Sequence, residues 1–156
     1  MSKDLLSTYL NDHLAGSIMA VEMTERAIEE DRGTQLRAFL SGLVNEIKAD
    51  QDLLRELLEK LDAKEDPIKK AGAWLAEKAG RLKMGNTREG ALGRLEMLET
   101  LSLGIYGKLK LWLALERVAA HHSELAGLDY KKLQASAREQ HDRVEAQRVE
   151  AAVEAF

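Results

Sequence analysis

The chain has 156 residues, no cysteine and a formal charge of −4, from 23 Lys and Arg against 27 Asp and Glu; this length can bury one core without covalent staples, so a single domain over residues 1–156 is expected. The missing thiols exclude disulfides, thiolate-bound zinc, iron–sulfur clusters and a cysteine nucleophile, the mild acidity gives no global reason to bind nucleic acid, and no apolar run approaches the ~20 residues of a membrane span. The N-terminal Met-Ser-Lys-Asp leads straight into an amphipathic pattern rather than a signal sequence, which makes the cytoplasm the expected location.

Proline occurs once, at Pro67, and the long segments are rich in Ala, Leu, Glu, Lys and Arg, so the expected fold is all-α with few interruptions. The first helix is predicted over residues 3–30. Gly33 supplies its C-terminal stop, and Thr34 the N-cap of a second helix over residues 34–62. Along that second helix Leu36, Leu40, Leu43, Ile47, Asp50, Leu54, Leu57 and Leu61 recur at alternating steps of four and three, one stripe of a helix with a carboxylate inside it. Residues 63–86 form a long connection, with Pro67 opening a shorter helix over 67–83 and Gly85-Asn86 closing it.

A third helix is predicted over residues 87–120, where Leu92, Leu95, Glu99, Ser102, Tyr106, Leu109 and Leu113 repeat the three-four spacing and place Glu99 in phase with the core. After a turn at Gly127 a fourth helix covers residues 128–155. Four long helices with this spacing, and a second-to-third connection long enough to make those two parallel, describe a ferritin-like four-helix bundle.

Di-iron bundles of that topology draw one Glu from each of two helices and a Glu-x-x-His from each of the other two, all at one level. Counting ~1.5 Å per residue from the end where the first and fourth helices begin, Glu22 lies about 19 steps up, Glu46 about 16, Glu99 about 19 and Glu145 about 17. The four glutamates share a layer, but the positions three residues after Glu46 and Glu145 hold Ala49 and Arg148 where imidazoles belong. Four carboxylates in a poorly hydrated interior need protons or a cation. Arg148, about 20 steps up, is the replacement cation, since a guanidinium stays charged and takes carboxylates in bidentate fashion. The expectation is a degenerate metal site held as an ion-pair network, with no catalytic residue and no bound cofactor. The alternative is an iron or manganese site, or a di-metal oxidase or stress protein, with an unorthodox ligand set drawn from Glu22, Glu46, Asp50, Glu99, His141 and Glu145.

Other features carry weaker signals. His121 and His122 end the third helix, where imidazolium complements the negative helix end, and His13 reads as a packing histidine. No glycine-rich phosphate loop or nucleophile motif occurs. The connection 64–83 carries six cations to three carboxylates, and Lys69, Lys70, Lys78 and Arg81 are its candidates for an anion or protein partner. Gly93, Gly104 and Gly107 thin one face of the third helix. Of Tyr106 and Trp112, whichever lies off the internal seam is a candidate for a homodimer contact.

At the strings Tyr9-Leu-Asn-Asp-His-Leu-Ala-Gly16, Glu46-Ile-Lys-Ala-Asp50, Ala76-Glu-Lys-Ala-Gly-Arg-Leu-Lys83, Leu98-Glu-Thr-Leu-Ser-Leu-Gly104 and Glu145-Ala-Gln-Arg148, the chain resembles a group of uncharacterised bacterial ferritin-like proteins. The resemblance spans essentially the whole chain and implies the ferritin-like fold. It also implies that Glu-x-x-x-Asp on the second helix and Glu-x-x-Arg on the last are family traits, and it brings no activity with it.

Overall fold

The computed structural model describes residues 3–30, 34–64 and 90–156. Among the described residues there are four long helices and no strand: α1 (Lys3–Glu29), α2 (Thr34–Lys60), α3 (Ala91–Val118) and α4 (Tyr130–Ala155). Gly33, the predicted short helix 67–83 and the basic positions Lys69, Lys70, Lys78 and Arg81 lie outside the described residues, as does the Thr34 side chain. The chain divides into two compact units, Met1–Leu82 and Lys83–Phe156.

In the first unit α1 and α2 pack as an antiparallel hairpin. Asn11 near the start of α1 reaches the Lys64 carbonyl beyond the end of α2 at 3.4 Å, while Glu25 near the end of α1 pairs with Lys48 of α2 at 2.5 Å. The leucine stripe of α2 is buried as its spacing predicts: Leu40, Leu43 and Leu57 are fully buried and Leu36, Ile47, Leu54 and Leu61 nearly so, with Asp50 half-buried among them. α2 stops at Lys60, two residues before the predicted end. Asp62 adopts φ 53°, its N–H donates to the Glu59 carbonyl at 2.9 Å, and the Ala63 N–H donates to the Leu58 carbonyl at 3.0 Å. That bond pair is the Schellman closure, normally built on glycine; here an aspartate takes the left-handed position.

In the second unit α3 and α4 form another antiparallel hairpin, tied near one end by Arg94–Glu154 at 2.6 Å and near the other by Gln134–Glu116 at 2.7 Å. α3 begins at Ala91, later than predicted, because Gly90 sits at φ 93°, outside the helical region. Its end also comes early. The chain tightens after Val118 into 3-10 turns at Ala119–His121 and Ser123–Leu125, so His121 and His122 follow the helix rather than end it. Gly127 at φ 85° reverses the chain. Asp129 then caps α4 by accepting the Lys132 N–H at 3.0 Å, and the Tyr130 hydroxyl donates to the Leu125 carbonyl at 2.8 Å. The cap puts the start of α4 at Tyr130 rather than 128.

The core stripe of α3 differs in phase from the expected one. Leu98, Leu101, Leu111, Trp112 and Leu115 are its most deeply buried side chains, with Ile105 close behind, whereas Tyr106 is 46% exposed and the Glu99 side chain 51% exposed. α3 carries apolar residues around almost its whole circumference, so several three-four series fit it equally well. The expected series, Leu95–Glu99–Ser102–Tyr106–Leu109, runs along the flank of α3 that meets α4.

Candidate functional site

A polar cluster occupies that flank. Ser102, 6% exposed on α3, donates its hydroxyl proton to Glu145 Oε1 across the hairpin at 2.5 Å, and its Oγ lies 3.2 Å from Nε2 of His141. Arg148, one turn after Glu145, forks onto the same carboxylate: Nε lies 2.9 Å from Oε1 and 3.1 Å from Oε2, and Nη2 lies 2.8 Å from Oε2. Its remaining nitrogen, Nη1, stands 3.5 Å from Glu99 Oε1 on α3. The His141 ring tilts against Tyr106 at 5.7 Å, its Nδ1 lies 3.8 Å from Asp142 Oδ1, and the Lys110 ammonium sits 4.6 Å from the Tyr106 ring centre.

The local reason for this assembly is helical spacing. His141, Glu145 and Arg148 are four and three residues apart on α4, and Glu99, Ser102 and Tyr106 are three and four apart on α3; each trio shares one side of its helix, and the two sides meet. The Arg148 side chain is 28% and that of Glu145 30% exposed, dry enough for charge-assisted bonds to count. Arg148 holds the Glu145 carboxyl down to about 2, helped by the Ser102 hydroxyl and opposed by burial. The carboxylate in turn raises Arg148 above its already high value.

The chemistry of the cluster follows from these bonds. A carboxylate held near 2 is a poor base, so Glu145 holds the Ser102 hydroxyl without drawing its proton away. Both Glu145 oxygens are engaged by the guanidinium, and one of them also by the hydroxyl, leaving little lone-pair capacity for a metal. Among the described residues, no group of three or more His, Asp or Glu side chains is arranged to hold a metal ion.

The structure thus brings together Glu99, Glu145 and Arg148, with His141 joined through Ser102. Glu22, Glu46 and Asp50 belong to the other compact unit; Glu22 is exposed on α1, while Glu46 and Asp50 are half-buried one turn apart on α2. Sequence reasoning missed Ser102 as a site residue. Its signal was its place in the three-four series between Glu99 and Tyr106, where a small hydroxyl replaces a core hydrophobe. Trp112 is fully buried and Tyr106 is not, so Tyr106 is the aromatic that lies off the seam. No protein-family model matches this chain, and neither does any curated protein or solved structure. No helix among the described residues is long and apolar enough to cross a membrane.

Proposed function

We propose that this chain is a non-catalytic, ferritin-like four-helix bundle, working in the cytoplasm as a homodimer, in which an Arg–carboxylate network fills a degenerate metal layer. The observation that supports this most directly is the Arg148 guanidinium lying bidentate on Glu145 with Glu99 beside it. In a working di-metal bundle the position three residues after such a glutamate presents an imidazole; here a permanent cation stands there and offsets the charge that the metal would otherwise neutralise. These residues do not fit a di-metal centre. The network's role is structural: it fixes the register of α4 against α3 through charged, directional bonds.

The second reading keeps a metal, iron or manganese, on an unorthodox set of carboxylates and His141, and it draws its support from the proximity of His141 Nε2 to the Ser102 hydroxyl that binds Glu145. Metal analysis separates the two. Protein purified without chelator is expected to carry no stoichiometric iron or manganese, and Glu99→Ala to change nothing in that respect. Stoichiometric metal in the wild type that disappears in Glu99→Ala would reverse the ranking.

A further inference from the structure

We propose that the outer face of α3 is the contact surface for a second copy of this chain, with two α3 helices packed antiparallel about a twofold axis at the level of Ile105. This names the interface of the homodimer proposed above; it does not depend on the Arg148 layer.

Three observations lead there. In the middle of a 28-residue helix, Leu103 is 73% exposed and Tyr106 46% exposed, the only large apolar side chains that α3 turns outward before Val118 near its end. Beside them stand Gly104 and Gly107, although glycine is a costly choice inside a helix. A Cβ built on either would meet nothing within 4 Å, so no packing among the described residues of their own unit requires them. What they provide is a low, flat strip that lets another backbone come close.

Charge order identifies the occupant. On a helix of 3.6 residues per turn, Glu96, Glu99, Lys110 and Arg117 all fall within about 40° of Leu103. The two carboxylates precede Leu103 and the two cations follow it. A parallel copy would set like charges against like. An antiparallel copy sets acid against base at both ends, the self-complementarity that an isologous twofold contact demands. The register is fixed twice over: pairing Leu103 with the partner's Gly107 puts the axis at residue 105, and pairing Glu99 with the partner's Lys110 puts it within about one residue rise of the same level. Leu103 then sits as a knob over the gap at Gly107. Glu99, half exposed and 3.5 Å from Arg148, keeps lone pairs for the Lys110 that crosses to it.

The test uses the full chain. Sedimentation velocity across about 5 to 200 μM is expected to show a wild-type dimer, and Leu103→Lys is expected to weaken it at least about tenfold with an unchanged helical circular-dichroism spectrum, since Leu103 is exposed. The chain has no native cysteine, so a mixture of Leu103→Cys and Gly107→Cys chains is expected to form a disulfide-linked mixed dimer on mild oxidation, in preference to either variant alone. A wild type that stays monomeric throughout, or a dimer indifferent to Leu103→Lys that gives no mixed cross-link, overturns the proposal. Monomeric protein leaves the ion-pair layer untouched, and stoichiometric metal would overturn that layer while the Leu103→Lys and cross-linking results still read the interface at Leu103 and Gly107, so the two failures are distinguishable.

Discussion

Replacing Arg148 with alanine removes the one group that binds both carboxylates of the cluster. Three charge-assisted contacts to Glu145, at 2.8, 2.9 and 3.1 Å, and the longer one to Glu99 at 3.5 Å, are lost together. Hydrogen bonds to charged groups contribute about 1.5–3 kcal/mol when well buried, and leaving a fully buried partner charge unpaired costs about 3–5 kcal/mol. The pair is near 30% exposed, and water that reaches the orphaned carboxylate screens it, so the expected effect at pH 7 is a small, measurable fall in Tm rather than the loss of a fully buried pair.

The pH dependence is the sharper readout. Glu145 titrates near 2 in the folded state against an ordinary 4.5, so its stabilisation is complete above about pH 5.5 and is lost as the pH falls from 4.5 through 2. The undiscounted shift corresponds to about 3 kcal/mol, and solvent screening brings it to about 1 kcal/mol. Urea unfolding of wild type and Arg148→Ala at pH 7 and at pH 2 is therefore expected to show a difference that shrinks by about 1 kcal/mol at the lower pH. No measurable loss at pH 7, or one that does not change between the two pH values, would refute the claim that the guanidinium holds this layer together.

Other substitutions probe the framework around the layer. Ser102→Ala removes the second donor to Glu145 and is expected to raise the pKa of that carboxyl, measured by carbon-detected NMR titration, while costing about 1 kcal/mol of stability. Asp129→Ala removes the cap of α4 and is expected to cost about 1 kcal/mol, with amide exchange rising in the first turn of α4 and not at its centre. Trp112→Ala, at a fully buried site, is expected to cost about 3–5 kcal/mol in denaturant unfolding. Burial lowers the pKa of His13 below its ordinary 6.5 and Asp12 opposes this, so the neutral ring is the one that folds with the chain. Stability is expected to fall as the pH drops below about 6.5, and a His13→Gln variant that kept the same decline would assign it elsewhere.

How far the chain could be read from its residues varies helix by helix. α2 was legible because a single leucine stripe on an otherwise polar helix admits one buried face, and its tertiary packing obeys it. α3 was not, since Leu, Ile, Met and Trp surround it and the three-four rule alone selects no phase; contact with α4 put Leu101, Ile105 and Trp112 inside and turned Leu103 and Tyr106 out. The helix ends show the same division. The Gly127 turn announces a helix start close by, whereas the Asp129 cap, and the left-handed Asp62 standing where glycine is the usual choice, are set by hydrogen bonds made on folding.

For the polar layer, the pairing of Glu145 with Arg148 is local chemistry: residues three apart on a helix are neighbours wherever that helix lies. The all-α class, the absence of thiol chemistry and this one ion pair are therefore properties of the amino-acid order itself. That Ser102 and Glu99 arrive from another helix to complete the pair, and that Glu22, Glu46 and Asp50 stand in a different compact unit, is decided only when the chain folds. Long-range partners are set by which helix flanks meet, and no spacing along one helix encodes that.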